Sequence, residues 1–359
     1  MPLSNGGNLS KSDGFDEERG SVKARSVICS RLGDMTFPNQ RPRRLRTTAA
    51  IRDLFSEVSL NASDFVVPFF VREGLSEKRE IRSLPGIFQH SVDSLKKEVE
   101  EEMALGVKAV ILFGIPQQKD ELGSQAWAED GIAQLAISEL KASFGDDLVV
   151  FADLCLDEYT SHGHCGVFNG GRVENDPTLD LYGRVAVAQA DAGVDFVAPS
   201  GMMDGQVGKI RSALDHSGKS NVGILAYSVK YASSLYGPFR DAVEVEIEGG
   251  GDRKGYQQDY RRSKEAILEA FLDEAEGADA LMVKPALTYL DIISLVKART
   301  SLPVAAYQVS GEYAMVKAAD QAGYIDGLSV AVEQLVAIKR AGADLILSYF
   351  AKEVLAHLN

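Results

Sequence analysis

Eight short apolar runs, separated by longer segments with helical patterns, set the strongest limit on how this chain can fold. The runs are almost continuously apolar, as expected of parallel strands that are covered on both faces. In four of the units a helical segment ends at a glycine, which favours a C-terminal helix cap, and a short turn leads into the run. We predict strands at residues 65–71, 109–115, 148–156, 196–200, 223–230, 280–285, 304–309 and 344–350.

Eight strand–helix units in succession indicate a (β/α)8 barrel, an architecture that takes about 250 residues. An open doubly wound sheet is the competing architecture, but no GxGxxG motif follows the first run, so a dinucleotide-binding fold is not supported. We assign residues 46–359 to a catalytic barrel. Residues 1–45 are rich in Ser, Gly and charge, and we expect a flexible N-terminal arm that contacts another subunit, with a solvated tail as the alternative.

Charge and composition narrow the classes of function. The net charge of −14 argues against a nucleic-acid partner, which would need a basic surface. No apolar run approaches the ~20 residues that a membrane-spanning helix needs. The three cysteines, Cys29, Cys155 and Cys165, do not indicate a disulfide framework. We therefore expect a cytoplasmic protein without a nucleic-acid or membrane partner.

Two lysines, Lys230 and Lys284, end the fifth and sixth predicted strands. Active sites of these barrels lie at the C-terminal ends of the strands, so both side chains would face one cavity. In an apolar cavity the two lysines are expected to lower each other's pKa, and a neutral amine can form an imine with a ketone. Two such lysines could hold two carbonyl substrates at once. A single lysine at a strand end is usually only solvated.

Polar residues also end or follow the other predicted strands. They are Asp153, Cys155 and Asp157 after the third, Ser200 after the fourth, Ser310 after the seventh and Tyr349 at the eighth. Arg240 precedes a glycine-rich segment at 242–255, and Arg253 lies within it. The composition of this segment is typical of a mobile lid. Because arginine binds carboxylates in a bidentate manner, the implied substrate is a small keto acid.

The segment 153–166 is dense in residues that bind metals. Cys155 and Asp157 would point to one face of a strand, because strand side chains alternate, and Cys165 can return from the following loop. Two thiolates and a carboxylate would suit a catalytic Zn²⁺, with His162 and His164 as substitutes or supporting donors. The alternative is a metal-free site in which Asp157 only lines the cavity.

Six motifs closely resemble the porphobilinogen synthase, or 5-aminolevulinate dehydratase, family. They are TSHGHCG (160–166), APSGMMDGQV (198–207), YSVKYASSLYGPFRDA (227–242), GDRKGYQ (251–257), MVKPALTYLDII (282–293) and YQVSGEYAM (307–315). The resemblance begins near Arg41 and reaches the C-terminus. It implies an enzyme that condenses two molecules of 5-aminolevulinate into porphobilinogen, the pyrrole precursor of haem and other tetrapyrroles, with release of two waters.

The resemblance also implies roles for individual residues. Lys284 matches the lysine that forms the Schiff base with the first substrate, and Lys230 matches the lysine that engages the second. The matches in the binding pockets are Arg240, Arg253 and Gln257 for the second-substrate site, Ser310 and Tyr349 for the first-substrate carboxylate, and Asp153, Ser200 and Tyr236 for the pocket lining. The family is typically a homo-octamer held by N-terminal arms, which would give residues 41–46 a role. Glu265 matches an allosteric Mg²⁺ ligand of some members.

Two departures from the family pattern affect these expectations. Asp157 stands where a second cysteine is usual, so the set Cys155, Asp157 and Cys165 leaves Zn²⁺, Mg²⁺ or no active-site metal open. The usual PSDMMDGRV is PSGMMDGQV here, with Gly201 and Gln206. We expect the missing acid at position 201 to weaken a contact around the metal site or between subunits.

Two other functions are alternatives. One is a different Schiff-base barrel enzyme, such as an aldolase acting on another keto acid, which would use a single lysine and not depend on the arginines. The other is a catalytically silent barrel that serves assembly or metal buffering, which would bind metal through Cys155 and Cys165 without turnover.

Overall fold

Eight parallel strands close into a barrel in a computed structural model that describes residues 41–247 and 252–358. The barrel strands, in their order around the barrel, are β1 (Phe65–Arg72), β4 (Ala109–Ile115), β5 (Val149–Leu154), β8 (Phe196–Pro199), β9 (Gly223–Lys230), β10 (Ala280–Lys284), β11 (Val304–Gln308) and β12 (Leu345–Ser348). Closure comes from β12 pairing with β1, where Phe65 is in register with Ile346. The predicted (β/α)8 barrel is therefore confirmed, and the open sheet is excluded.

All eight predicted strands are present, but several end earlier than predicted. The third ends at Leu154, so Cys155 and Asp157 lie in the turn that follows it rather than within the strand. The argument from strand alternation for these two residues was therefore wrong. The sixth strand ends at Lys284, one residue earlier than predicted.

Short strands, eleven α-helices and several 3-10 helices complete the described part of the chain. The short strands form two pairs, β2 (Arg79–Glu80) with β3 (Phe88–His90) and β6 (Phe168–Asn169) with β7 (Arg172–Val173). The helices are α1 (Ala49–Leu54), α2 (Val92–Ala104), α3 (Ile132–Phe144), α4 (Asn175–Asp191), α5 (Gln206–His216), α6 (Gly237–Ala242), α7 (Ser263–Glu276), α8 (Leu290–Lys297), α9 (Ser310–Gln321), α10 (Gly327–Ala341) and α11 (Ala351–Leu358). No helix among these residues is long and apolar enough to cross a membrane.

The glycines that were predicted to cap helical segments follow four of the barrel helices. Gly106, Gly193, Gly277 and Gly342 follow α2, α4, α7 and α10, with φ values of 95°, 97°, 104° and 116°. These angles lie in the left-handed region, where a residue with a Cβ is strained, so glycine is favoured for the turn into the next strand.

The chain divides into two compact units, Met1–Glu57 and Val58–Asn359. The first unit, described from Arg41 onward, contains a 3-10 helix at Pro42–Leu45 and α1. Residues 1–40 of the predicted arm lie outside the described residues, so the arm and its subunit contacts stay predictions. The same holds for residues 248–251 of the predicted lid.

Candidate active site

Lys230 and Lys284 lie side by side at the C-terminal ends of β9 and β10. The two residues are direct partners in the register of the parallel strands. Both side chains are buried, with 5% and 4% exposure. The strand ends are also tied together, because the Tyr231 N–H donates to the Lys284 carbonyl at 3.0 Å. The Tyr236 hydroxyl donates to the Tyr231 and Lys284 carbonyls at 2.8 and 3.3 Å.

Lys284 sits among aromatic rings. Its Nζ lies 4.3 Å from the centre of the Tyr307 ring and 5.1 to 5.3 Å from the ring centres of Tyr227, Phe239 and Tyr236. Burial first, and the charge of Lys230 second, lower the pKa of Lys284 to about 7. A substantial fraction of this amine is therefore neutral near neutral pH, the form that can attack a carbonyl.

Lys230 has a different surrounding. Its Nζ donates to the Ser200 carbonyl at 2.6 Å. Burial alone would lower the pKa of Lys230, but its interactions with Cys165 and Cys155 and with Asp157 and Asp153 raise it above its usual value. The expectation that each lysine lowers the pKa of the other therefore holds for Lys284 and is wrong for Lys230.

A cavity of about 420 Å³ contains both lysines. Its volume lies in the range of about 300–1,000 Å³ that is common for small-molecule sites. The predicted site residues that line it are Asp153, Asp157, Ser200, Lys230, Tyr236, Arg240, Arg253, Gln257 and Lys284. The structure thus brings nine of these residues, from distant parts of the sequence, into one cavity.

Two buried donors of residues lining this cavity lack a hydrogen-bond acceptor among the described residues. They are Nε of Arg253 and Nε2 of Gln257. The other side of the Arg253 guanidinium is occupied, since Nη2 lies 2.8 Å from Asp157 Oδ2 and donates to the Gly163 carbonyl at 2.8 Å. A buried donor without an acceptor costs about 1–3 kcal/mol, so a ligand with a carboxylate would find both donors available.

Cys155, Asp157 and Cys165 form the predicted cluster even though Cys155 and Asp157 lie in a turn. The two cysteine sulfurs and one carboxylate oxygen of Asp157 all lie within 4.8 Å of one another, and all three residues are buried. The Cys165 thiol donates to Asp157 Oδ1 at 3.6 Å. Because Arg253 occupies only Oδ2, Oδ1 and the two sulfurs remain as donors, and this set fits a single divalent cation.

The delta-aminolevulinic acid dehydratase family model matches residues 39–357. The chain belongs to this family. A delta-aminolevulinic acid dehydratase of Halalkalibacterium halodurans is 53% identical over 326 residues, 91% of this chain and 98% of that protein. One of Streptomyces coelicolor is 52% identical over 322 residues, 89% of this chain and 97% of that protein.

A solved structure from Toxoplasma gondii also matches. It is delta-aminolevulinic acid dehydratase (porphobilinogen synthase) in complex with the reaction product porphobilinogen. The identity is 43% and the TM-score 0.86, with 91% of this chain and 94% of that chain covered. These matches confirm the family and the kind of enzyme that the motifs predict.

Three residues that the family resemblance placed in binding sites are not in the cavity lining. The Ser310 hydroxyl accepts from the Phe239 N–H at 2.9 Å and donates to the Leu235 carbonyl at 3.3 Å. The Tyr349 hydroxyl lies 3.1 Å from the hydroxyl of Tyr307, whose ring faces Lys284. Glu265 lies on α7, with its carboxylate 3.4 Å from Arg262. Their dehydratase roles stay predictions.

The two histidines of the TSHGHCG motif are engaged elsewhere. His162 Nε2 lies 3.1 Å from the Glu121 carbonyl, and its Nδ1 accepts from the His164 N–H at 3.1 Å. His164 Nδ1 lies 3.2 Å from the Tyr256 hydroxyl. Neither is a member of the ligand clusters among the described residues.

Glu158 is a cavity residue that the sequence arguments missed. Both of its carboxylate oxygens are buried, and one of them lies within 4.8 Å of a carboxylate oxygen of Asp153 and of the Cys155 sulfur. Burial first, and the charge of Asp157 second, raise the pKa of Glu158 well above its usual value. Strand alternation would have put Glu158 opposite Asp157, and only the turn brings both to the cavity.

Proposed function

We propose that this chain condenses two molecules of 5-aminolevulinate into porphobilinogen through imines on Lys284 and Lys230. The observation that carries the proposal is the in-register pair of buried lysines, one with a pKa lowered to about 7. Membership of the dehydratase family supports it. The Toxoplasma gondii relative, whose structure holds porphobilinogen, supports it as well.

The different pKa directions of the two lysines suggest an order of events. Lys284, whose amine is partly neutral, attacks the ketone of the first substrate, and loss of one water gives an imine. Lys230, whose pKa is raised, must give up its proton before it reacts, so it engages the second substrate later. One imine serves as the electron sink for carbon–carbon bond formation. Ring closure returns both lysines as free amines, with two waters released per product.

Carboxylate binding is proposed for the donors around the cavity. Arg253 Nε and Gln257 Nε2 are buried and have no acceptor in the part of the chain that the structure describes, and Arg240 also lines the cavity. A carboxylate of the second substrate would accept from these groups, and charge-assisted hydrogen bonds of this kind are stronger than neutral ones. This arrangement distinguishes the proposed enzyme from an aldolase that depends on one lysine alone.

We propose that Cys155, Asp157 and Cys165 hold a divalent cation. Two sulfur donors favour Zn²⁺ over Mg²⁺, because Mg²⁺ prefers an all-oxygen set. When bound, such a cation supplies Lewis acidity next to the second substrate. Three further predictions carry over from the family resemblance: an allosteric Mg²⁺ at Glu265, a homo-octamer formed through the arm, and a cytoplasmic location.

Reductive trapping tests the lysine chemistry. Incubation with 5-aminolevulinate and cyanoborohydride should attach the substrate to Lys284, and the trapping rate should rise as pH rises through about 7, because the amine becomes neutral above its pKa. Peptide mass spectrometry locates the adduct. If neither Lys284 nor Lys230 carries an adduct, the imine proposal is wrong.

Metal removal tests the cation proposal. A chelator should lower activity by at least about tenfold, or ~1.4 kcal/mol in the barrier. Zn²⁺ should restore activity better than Mg²⁺, and the variant Cys165→Ser should lose this preference. Elemental analysis before and after chelation checks the result. Full activity in a preparation without any bound metal would contradict the proposal.

A further inference from the structure

Tyr182 and Gly201 compete for one space next to the cysteines. Tyr182 lies on α4, and its side chain is fully buried. A Cβ added to Gly201 would lie 1.5 Å from the Tyr182 hydroxyl oxygen and 2.6 Å from Cζ. The φ of Gly201 is not in the left-handed region, so volume rather than backbone conformation requires the glycine. No side chain fits at position 201 while Tyr182 keeps its place.

The Tyr182 hydroxyl reaches both cysteines of the proposed cation site. It donates to the Cys165 carbonyl at 2.6 Å and lies 4.0 Å from the Cys155 sulfur. Cys155 follows β5, whereas Cys165 returns from the loop after it, so the relative position of the two sulfurs depends on what holds that loop. The hydroxyl fixes the loop at the backbone of Cys165 itself.

A second contact from α4 holds the same loop. The Thr178 hydroxyl accepts from the Val167 N–H at 2.9 Å and donates to the Glu174 carbonyl at 2.6 Å. A Cβ at Gly166 would lie 2.4 Å from this hydroxyl, so the loop passes close to α4. Thr178 and Tyr182, one turn apart on α4, thus fix the chain on both sides of Gly166.

We infer that Tyr182 is a positioning residue for the Cys155–Asp157–Cys165 cation site, and that Gly201 leaves the space that its hydroxyl needs. The inference rests on the proposed cation site. It also explains in physical terms why this chain departs from the family pattern at position 201. The tyrosine hydroxyl fills the space that the side chain of the usual acidic residue would need. Groups that orient metal ligands typically affect metal affinity by about 10–100-fold.

The variant Tyr182→Phe tests the hydroxyl. It keeps the ring and should weaken Zn²⁺ binding by about tenfold or more, and it should alter the sulfur-to-metal charge-transfer band of the Co²⁺-loaded protein. The matched control is Tyr313→Phe, because the buried Tyr313 also donates to a backbone carbonyl, that of Pro85, at 2.7 Å. Tyr313→Phe should leave the Zn²⁺ affinity and the charge-transfer band of the Co²⁺-loaded protein unchanged. Equal Zn²⁺ affinity in Tyr182→Phe and wild type would overturn the inference.

A second pair of variants tests the shared space. Gly201→Ala should lower the melting temperature and the Zn²⁺ affinity, because its Cβ displaces Tyr182. Adding Tyr182→Leu removes the clashing atoms, so the double variant should melt at a higher temperature than Gly201→Ala alone. A double variant no more stable than Gly201→Ala would overturn the volume argument. If the wild type binds neither Zn²⁺ nor Co²⁺, the cation site and this inference both fail, whereas trapping on Lys284 would still support the proposed chemistry.

Discussion

Replacing Lys284 by Ala is expected to lower kcat/KM by at least about 10³-fold, or ~4 kcal/mol in the barrier. The variant loses the amine with the lowered pKa, and the neighbouring Lys230, whose pKa is raised, does not replace it. Lys284→Arg should be similarly inactive, since it keeps a positive charge but stays protonated and forms no imine. Steady-state kinetics with 5-aminolevulinate measure both variants.

The control for this prediction is a lysine far from the chemistry. Lys219 forms a partly exposed ion pair with Asp191 at 2.7 Å, so Lys219→Ala should change stability by no more than about 1 kcal/mol and leave activity near that of wild type. Circular dichroism establishes that the variants are folded. Activity of Lys284→Ala within about tenfold of wild type would remove Lys284 from the mechanism.

The barrel and the lysine pair were predictable because they depend on local and repetitive features of the sequence. Parallel strands covered on both faces need continuous apolar runs, and the helices before them end at residues such as Gly277 that adopt a left-handed conformation. Once the strands are placed, the ends of neighbouring strands must meet, so Lys230 and Lys284 fall together without knowledge of any side-chain contact.

The details of the site were less predictable, because they depend on turns and on contacts between distant segments. The turn after β5, rather than strand alternation, brings Asp157 and Glu158 to the cavity. The pairing of Arg253 with Asp157 joins segments far apart in sequence, and no local pattern announces it. The pKa of Lys230 is raised by Cys165, Cys155, Asp157 and Asp153, so an expectation based on the two lysines alone failed.

The pair formed by Asp157 and Arg253 should make a large contribution to stability. Their side chains are 3% and 10% exposed, with Oδ2 and Nη2 at 2.8 Å. Removing one partner of a buried ion pair leaves an uncompensated charge, which typically costs about 3–5 kcal/mol. Asp157→Ala is therefore expected to lower the free energy of unfolding by about that amount, measured by denaturant unfolding of the metal-free protein so that lost metal binding does not contribute.

The pH dependence of this contribution has a definite sign. Burial alone would raise the pKa of Asp157, but the charges of Arg253 and Lys230 hold it well below its usual range. Because the folded-state pKa lies below the unfolded value of about 4, the stabilisation is present above that value and is lost as pH falls through the folded-state pKa. The difference in stability between wild type and Asp157→Ala should therefore persist at neutral pH and shrink only in acid.

Two comparisons isolate the buried charge as the cause. Asp180 is paired with Lys209 at 2.5 Å, but its side chain is 71% exposed, so Asp180→Ala should cost no more than about 1 kcal/mol. The double variant Asp157→Leu/Arg253→Met removes both buried charges and should recover much of the loss seen in Asp157→Ala, because no unpaired charge remains. If Asp157→Ala is no less stable than Asp180→Ala, the pair does not hold the cavity together, and the position of Asp157 must be fixed by the turn and its thiol neighbours instead.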